Sequence, residues 1–596
     1  MNKIKKRDEM PEKFKWDIEA MYSDEELWKK DIDDAITLSK ELLSYKGELT
    51  KDSNTLLKAL SLRDKIWLKA EKAFVYARMK RDEDNSVGKY QGMCDQSMSA
   101  VARISANLSF FVPELIASEH SVIKKYIDEN DELKTYDFML KEIYRGKKHI
   151  LSEKEENLMA SFSEVNSATG DIFTMLNNAD MTFGNITDSD GNEIQLTHGN
   201  YISFMQEKNR DIRKKAYEKI YGEYKSLINT IATTYNYNTK LDCVQAKVRN
   251  YKNARASALF SDNVQDSVYE NLISTINDNF PVLHHYVEMR KKILKIDKLQ
   301  MYDIYAPLVN IPEKKIPYEE GVKMVISALA PMGEEYVSTL KKGFDDRWID
   351  VYENEGKTSG AYSFGSYDSK PYVLLNYNNT LNDVFTVIHE MGHSMHSFYT
   401  RKTQPFIYGS HSIFTAEVAS TVNENLLMKH LISSETDNEM KKYLIFKHIE
   451  DFRTTVFRQT MFAEFEDMTH KAIENGEVLT AEVLCDKYEK LNKKYYGNAV
   501  EDDMYIKYEW ARIPHFYNAF YVYKYATGYC AASAISDIIL KKGSADYIDF
   551  LKTGDSDYPI ELLKIAGVDM SSPEPIRNAM KVFEELVSEF EKMVNQ

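Results

Sequence analysis

Residues that break helices are scarce in this chain. Its 596 residues contain only 13 prolines and 23 glycines, and both residue types destabilise a helix interior. From residue 24 to about residue 180, apolar residues recur at helical spacing between charged ones, as at Trp67, Ala70 and Phe74. The pattern predicts a mainly α fold that begins with an antiparallel helical lobe.

The segment 181–199 interrupts this helical pattern. Two short strand-like pieces flank Asp190-Gly191, a pair that favours a tight hairpin turn. A chain of this length exceeds one small core, so we place a domain boundary at the hairpin. The sequence predicts an N-terminal helical lobe at 1–180, a β-hairpin boundary at 181–199 and a second domain at 200–596.

The second domain has one strand-rich stretch. Residues 360–365 and 371–377 are the most strand-like of the chain and predict a small sheet. From residue 380 to the end we expect nearly continuous helices. Their expected breaks lie near Gly409, Gly476, Gly497, Gly528, Gly543 and Pro573.

The charge and the cysteines exclude several classes of protein. The formal net charge of −16 repels phosphate backbones and argues against a nucleic-acid partner; it maintains solubility or favours cationic substrates. The four cysteines form no CxxC pair, which argues against a disulfide framework and a cysteine zinc site. The N-terminus lacks the apolar part of a secretory signal, and no stretch approaches the ~20 apolar residues of a membrane span. We expect a cytoplasmic protein without a membrane partner.

One predicted helix carries a metal-binding pattern. His389 and His393 are four residues apart, so both imidazoles lie on one helix face and reach one ion. Glu390 lies beside them and is a candidate to hold a water on the metal as general base. Thr380 and Asp383 have capping-box spacing at the start of this helix. An apolar stripe fits its packing inside the protein: Val384, Ile388, Met391, Met395 and Phe398.

A catalytic zinc takes three protein ligands and one water. After Glu390 the next carboxylate is Glu417, and Gly409 gives the chain a place to reverse before it. A second helix running back past the first would supply Glu417 as the third ligand. Glu424 lies two turns further along the same face and is either a hydrogen-bond partner of a ligand histidine or a solvated carboxylate. We expect one Zn²⁺ per chain, with cobalt or manganese as substitutes in vitro.

The other histidines are weaker candidates for the metal. A metzincin motif would need glycine at 396 and histidine at 399, where this chain has His396 and Tyr399. We expect His396 to lie in the core or beside a ligand, and His411 is open between these roles. His284-His285 lacks a partner pattern and is expected to be structural.

Several blocks together resemble the oligoendopeptidase F family of the thimet oligopeptidase-like zinc metallopeptidases. The blocks are residues 209–217, 345–360, 360–397, 414–420 and 515–528. The resemblance covers residues 180–590 well, and the N-terminal helices through length and helical character. It implies a clam-like, multi-helix metallopeptidase with a deep central channel around the zinc. It also implies a catalytic domain at 200–596, Glu417 as third ligand and cleavage of short unstructured peptides.

The resemblance further implies that a tyrosine-rich helix after His515 faces the zinc and binds the substrate carbonyl. The related enzymes have a glycine-containing loop between the corresponding histidine and the first tyrosine, whereas here only Phe516 intervenes. Tyr517, Tyr521 and Tyr523 therefore all stay candidates. Tyr521, Tyr523 or His515 would donate a hydrogen bond to the oxyanion, and Tyr517 would contact substrate.

The strand at 371–377 has a second candidate role. A peptide can bind as an added strand on a sheet edge through backbone hydrogen bonds, and Pro371 suits the start of an edge strand. Tyr372, Val373 and Leu374 would then contact substrate. The alternative is an ordinary internal strand.

The leading hypothesis is a zinc metalloendopeptidase that hydrolyses internal bonds of short oligopeptides. A carboxypeptidase or dipeptidyl carboxypeptidase on a similar fold is the first alternative, because Arg512 is a candidate partner for a peptide's terminal carboxylate. A structural salt bridge is the simpler expectation for Arg512. The second alternative is a non-catalytic peptide-binding protein, against which an intact Glu390 argues.

Overall fold

A computed structural model describes residues 4–310 and 314–595. Within these residues the chain forms 25 α-helices and five short β-strands, so the predicted mainly α class is confirmed. The helices of the first half are α1 (Glu25–Leu43), α2 (Ser53–Glu83), α3 (Gly88–Leu108), α4 (Phe111–Ala117), α5 (His120–Glu129), α6 (Asp137–Gly146), α7 (Glu153–Ser161), α8 (Ser163–Met175), α9 (Tyr201–Met205), α10 (Arg210–Ser226), α11 (Ile228–Val248), α12 (Ala254–Phe260), α13 (Asp266–Asp278) and α14 (Phe280–Ile293). Those of the second half are α15 (Tyr318–Ala328), α16 (Glu334–Asp345), α17 (Leu381–Thr403), α18 (Ile413–Ser434), α19 (Asn438–Phe452), α20 (Arg458–Glu474), α21 (Ala481–Tyr496), α22 (Tyr523–Lys542), α23 (Ala545–Leu551), α24 (Pro559–Ile565) and α25 (Glu574–Val594).

The helices form two compact units, each built from three stretches of the chain. Unit 1 consists of Met1–Lys148, Lys314–His430 and Ile535–Val568. Unit 2 consists of His149–Glu313, Leu431–Ala534 and Asp569–Gln596. The sequence predicts consecutive segments at 1–180, 181–199 and 200–596, whereas each compact unit combines separate stretches. The division into consecutive segments stays a prediction.

The predicted hairpin lies inside unit 2. Strand β1 (Asn185–Thr187) pairs antiparallel with β2 (Glu193–Gln195), with Ile186 opposite Ile194. Gly191 in the connecting turn has a φ of 88°, a conformation that glycine adopts without steric cost. The Asp190-Gly191 signal therefore identified this turn.

A three-stranded sheet lies beside α17 in unit 1, as the sequence predicts. It contains β3 (Ile349–Asp350), β4 (Tyr362–Phe364) and β5 (Tyr372–Leu374) in the order β3-β5-β4. Strand β5 runs parallel to β3 and antiparallel to β4. Helix α17 packs against β4 and β5 on this side and against α15, α16 and α23 elsewhere.

The prediction that Tyr372, Val373 and Leu374 bind peptide along a sheet edge is wrong. Strand β5 is the central strand, so neighbouring strands take its backbone hydrogen bonds on both sides. All three side chains are fully buried. Tyr372 and Leu374 pack in a core with Trp16, and the Tyr372 hydroxyl donates to the backbone oxygen of Asp17 at 2.7 Å. The internal-strand alternative is correct.

The expected helix breaks are confirmed except at Gly528, which lies buried inside α22. A single glycine costs a helix interior only ~1 kcal/mol, so tertiary packing readily overrides it. Helices end or restart at the other expected positions: Gly409, Gly476, Gly497, Gly543 and Pro573.

One stretch corrects the expectation about membrane spans. Gly88–Ala117 is long and apolar enough to cross a membrane by length and composition. In the structure it comprises α3 and α4, and α3 packs against α1 and α2. It buries Met93 and Ile104 on one face, which is typical of a bundle helix. All four cysteines are free thiols, as their spacing predicts: Cys94, Cys243, Cys485 and Cys530.

Candidate metal centre and active site

Helix α17 is fixed at its start and along one face. The Thr380 hydroxyl accepts a hydrogen bond from the Asp383 N–H, and the Asp383 carboxylate accepts from the Thr380 N–H. This reciprocal pair satisfies two amides that the helix itself leaves open. The predicted stripe is buried, with Val384, Ile388, Met391 and Met395 fully inside and Phe398 partly exposed. The cap and the buried face therefore fix the helix that carries His389, Glu390 and His393.

Gly392 lets α18 cross close to the motif. A Cβ atom placed on Gly392 would lie 2.6 Å from Ser420 Cα and 3.0 Å from the Ala419 backbone oxygen. The Asn423 amide also donates to the Ile388 backbone oxygen at 3.4 Å. Only a residue without a side chain permits this approach, and the approach brings Glu417 on α18 to the histidines.

We expect Gly392→Ala to push α18 away from α17. Overpacking of this kind typically costs 1–3 kcal/mol, and the same displacement should weaken zinc retention because Glu417 moves with α18. Denaturant unfolding and metal analysis of the purified variant measure the two effects. Gly92→Ala in α3 is the control, since a Cβ there meets nothing within 4 Å. If Gly392→Ala matched this control in both measurements, the close crossing would not hold the site.

Three donor groups converge where the sequence predicts the metal. One ligand atom each from His389, His393 and Glu417 lies within 4.8 Å of the other two, and His389 Nε2 is 3.9 Å from Glu417 Oε2. Ligands held ~2.1 Å from a tetrahedral zinc are about 3.4 Å apart. Small side-chain rotations would therefore close these donors on one ion, and two imidazoles with a carboxylate suit zinc chemically.

A second contact orients His389. His389 Nδ1 is 3.1 Å from Glu424 Oε1, so a proton on Nδ1 leaves Nε2 free for a metal. The predicted contact between Glu424 and a ligand histidine is thus present. The backbone of Ala416, one residue before Glu417, raises the pKa of His393 and so partly opposes the effect of burial. Helix α18 therefore supplies one candidate ligand, Glu417, and the hydrogen-bond partner of another, His389.

The carboxylates set the charge of the group. Burial alone would lower the pKa of His389, but the hydrogen bond to Glu424 and the charges of Glu424, Glu390 and Glu417 raise it to about 9. Burial lowers the pKa of His393 to about 3, with the nearby His389 acting in the same direction. Burial has the opposite effect on the Glu417 carboxyl group, because it disfavours the negative charge and so raises the pKa. The surroundings favour a positive charge at His389, and a metal ion bound there would take the place of that proton.

Glu390 lies beside the three donors and is almost fully buried. Burial raises the pKa of its carboxyl group to about 7, opposed by His389 and reinforced by Glu417 and Glu424. The backbone of Ser363 in β4 lowers the pKa of this carboxyl group and so partly opposes the effect of burial. The Ser363 hydroxyl in turn pairs with the Ser394 hydroxyl at 2.8 Å, which ties β4 to α17.

The remaining histidines lie outside the donor group, as predicted. His396 is buried and stacks on His411 with ring centroids 4.1 Å apart. Burial holds the pKa of His396 well below its usual value and lowers that of His411 to about 4, so both rings are neutral. His284 contacts the Lys494 backbone oxygen and His285 contacts Glu591, which are structural contacts.

The segment after His515 belongs to unit 2 and is not the helix that the sequence predicts. Pro514–Tyr517 is a short 3-10 turn, and α22 begins only at Tyr523. Between them Phe520 has a φ of 56°, a left-handed conformation that is unusual for a bulky residue. The spacing of the aromatic residues after His515 resembles helical periodicity, but these residues form a tight turn.

This turn separates the tyrosine candidates by exposure. Tyr521 is partly exposed and lies parallel to the His515 ring, with centroids 6.1 Å apart. Tyr523 is fully buried and packs on Tyr269. Tyr517 stacks on Phe173, and burial raises its pKa above the usual value. Burial lowers the pKa of His515, which keeps the ring neutral. Their contacts with substrate stay predictions.

Arg512 does not form the expected salt bridge. Among the described residues, no carboxylate lies within ion-pair distance of its guanidinium. The group instead lies over the rings of Tyr201 and Tyr221, 4.9 Å and 6.0 Å from their centroids. It also donates to the Tyr221 hydroxyl at 3.4 Å. Aromatic contacts therefore hold this charge in place.

Sequence reasoning missed three contributors to the site. Ser363 and Ala416 act through their backbones, so no side-chain pattern marks them. The close contact at Gly392 had a signal, because a glycine inside a strongly helical stretch costs stability and often marks a close approach. That signal would have predicted a helix crossing at this residue.

Comparison with known proteins identifies the family of this chain. The profile described as Peptidase family M3 matches residues 203–582, and the profile described as Oligopeptidase F matches residues 114–183. The chain is 46% identical to Oligopeptidase PepF of Bacillus subtilis over 100% of this chain and 89% of that protein.

Two crystal structures show the same fold over nearly the whole chain. A protein of Chlamydophila abortus is 35% identical, with a TM-score of 0.93 over 99% of this chain and 100% of that one. Oligoendopeptidase-F from Enterococcus faecium is also 35% identical, with a TM-score of 0.73 over 96% of this chain and 98% of that one. The chain belongs to peptidase family M3 and is a metallopeptidase.

Proposed function

We propose that this protein is a zinc metalloendopeptidase that hydrolyses internal peptide bonds of short, unstructured oligopeptides. The observation that carries the proposal is the convergence of His389, His393 and Glu417 with Glu390 beside them. The names of the relatives, an oligopeptidase and an oligoendopeptidase, support oligopeptides as the substrate class.

The proposed roles follow from the chemistry of the groups. Zinc held by His389, His393 and Glu417 would polarise the scissile carbonyl and lower the pKa of water towards ~7. Glu390 takes the proton of the attacking water and later delivers it to the leaving amine. Glu424 keeps His389 in the tautomer that offers Nε2 to the metal.

We assign the oxyanion donor to the segment after His515. A neutral His515 offers an imidazole N–H, and the partly exposed Tyr521 offers a phenol; a donor of this kind is typically worth ~3 kcal/mol. Tyr523 is the weaker candidate of the two tyrosines, because its ring is fully buried. We keep Tyr517 as a substrate contact.

We place the substrate backbone along β4 instead of β5. Strand β4 lies at the end of the sheet and packs against α17, the helix that carries Glu390. An extended peptide added to this edge would bind through backbone groups that are common to all sequences. Such binding would allow the protein to accept unfolded peptides of many different sequences.

A peptide blocked at both ends separates endopeptidase from exopeptidase activity. We expect the protein to cleave an internally quenched peptide with an acetylated N-terminus and an amidated C-terminus, and to lose this activity when a chelator removes the metal. Cleavage restricted to the same peptide with a free C-terminus would instead support the carboxypeptidase alternative, with Arg512 as the carboxylate partner. Binding without cleavage of either peptide would contradict the proposed endopeptidase activity.

We further propose that the protein acts in a reducing compartment such as the cytoplasm and on peptides instead of nucleic acid. The four free thiols and the net charge of −16 support these two points respectively.

A further inference from the structure

Glu466 is an ionisable residue in unit 2 to which the proposed reaction gives no role. It lies on α20 and is fully buried. No basic residue forms an ion pair with it among the described residues. Its Oε1 accepts a hydrogen bond from the Phe520 N–H at 3.1 Å, while its Oε2 has no hydrogen-bond partner in the described part of the chain. Burying a carboxyl group without a positively charged partner lowers the stability of the fold. A residue that is kept at such a cost is a candidate for a functional role.

The partner of Glu466 is the strained residue of the turn. Phe520 adopts the left-handed conformation, which costs a non-glycine residue about 1–3 kcal/mol and persists only where the surroundings enforce it. Its ring packs on His470, with centroids 4.6 Å apart, and on Tyr269 at 5.7 Å. The ring contacts hold the side chain, and the hydrogen bond to Glu466 holds the backbone.

The backbone of Phe520 determines where Tyr521 points. Tyr521 is the next residue, and its ring lies parallel to His515 with an angle of 7° between the planes. It also meets the Tyr525 ring edge-on at 5.5 Å. If Phe520 relaxed to a common conformation, the peptide would rotate and Tyr521 would leave His515.

We propose that Glu466 is a positioning residue: by accepting the Phe520 N–H, it holds the left-handed turn that keeps Tyr521 beside His515. The inference rests on the proposed role of His515 and Tyr521 as oxyanion donors. The carboxyl group acts as a neutral acceptor. Burial holds the pKa of Glu466 well above its usual value, only partly opposed by the Phe520 hydrogen bond, and Asp242 raises it further.

Two substitutions at Glu466 separate positioning from simple core packing. Glu466→Met keeps the volume but removes the acceptor, and we expect kcat to fall roughly ten- to a hundredfold, as misplaced catalytic groups typically cause. KM should change by less than about twofold, because the lost interaction belongs to the transition state. Glu466→Gln keeps a neutral acceptor of the same shape, and it should retain wild-type kcat.

Thr469→Val is the matched control on the same helix. It removes the buried hydrogen bonds of the Thr469 hydroxyl to Tyr235 and to the Glu466 backbone oxygen. It leaves the hydrogen bond from the Phe520 N–H to the Glu466 carboxyl group in place, so stability should fall while kcat stays unchanged. Wild-type kcat in Glu466→Met would overturn the proposal, as would an equal loss of kcat in Glu466→Gln. If Glu466→Met did not fold, Glu466→Gln would decide alone by retaining or losing kcat.

Amide hydrogen exchange tests the same contact without reference to activity. We expect the Phe520 N–H to exchange slowly in the wild type and in Glu466→Gln, and much faster in Glu466→Met. Unchanged exchange in Glu466→Met would overturn the proposal. This measurement stays valid even if the blocked peptide is not cleaved, so failure of the proposed function and failure of this inference are distinguishable.

Discussion

Replacing Glu390 by glutamine is expected to lower kcat for the blocked peptide by roughly a hundred- to ten-thousandfold, the range for loss of a general acid–base group. Glutamine has the same shape as glutamate but cannot take a proton from water. The three metal donors are untouched, so zinc content should equal that of the wild type. Stopped-time assays of peptide cleavage together with metal analysis of the same preparation measure both quantities.

The control for Glu390→Gln is Glu320→Gln, which changes an exposed carboxylate of the same unit and should leave kcat and zinc content unchanged. Zinc loss in Glu390→Gln would mean that Glu390 supports the ion. Normal turnover with zinc present would show that another group accepts the proton, and the proposed role of Glu390 would be wrong.

Glu417→Ala is expected to abolish zinc retention after dialysis, and with it all activity. This substitution removes the only carboxylate of the three-donor group and leaves two imidazoles, too few for a stable catalytic site. Zinc titration followed by metal analysis measures the loss. The loss should exceed the 10–100-fold weakening typical of residues that only support a ligand.

Glu424→Gln provides the comparison for Glu417→Ala, because Glu424 contacts His389 at 3.1 Å and does not belong to the donor group. We expect it to weaken zinc affinity or activity by about 10–100-fold. A greater loss of zinc in Glu424→Gln than in Glu417→Ala would reverse the two assignments.

The features that the sequence predicted correctly depend on local spacing. The cap at Thr380 and the buried stripe of α17 follow from residues within a few turns of one another. Glu417 was identifiable because no other carboxylate lies between Glu390 and that position. Gly409 marked the reversal, and a Cβ there would meet the Tyr367 ring at 2.4 Å.

The features that it missed depend on partners distant in the chain. Whether β5 is an edge or a central strand is decided by β3, more than twenty residues earlier, and no property of 371–377 encodes that pairing. In the turn at Phe520 the backbone N–H is hydrogen-bonded to Glu466, 54 residues away. The aromatic spacing after His515 matches a helix equally well, so only tertiary contacts distinguish the two.

The two compact units are also assembled from stretches that lie far apart in the chain. Compositional breaks locate the hairpin at 181–199 correctly, but three separate stretches of sequence build each unit. Contacts between distant stretches decide this arrangement. Patterns read along a single sequence indicate only which structures form between residues close together in the chain.

Anomalous diffraction at the zinc absorption edge, from crystals of the zinc-loaded protein, tests the central claim most directly. We expect one strong peak per chain, within about 2.0–2.3 Å of a ring nitrogen of His389, a ring nitrogen of His393 and a carboxylate oxygen of Glu417. A peak at any other cluster of side chains, or a peak at this site that lacks Glu417 as a ligand, would contradict the account.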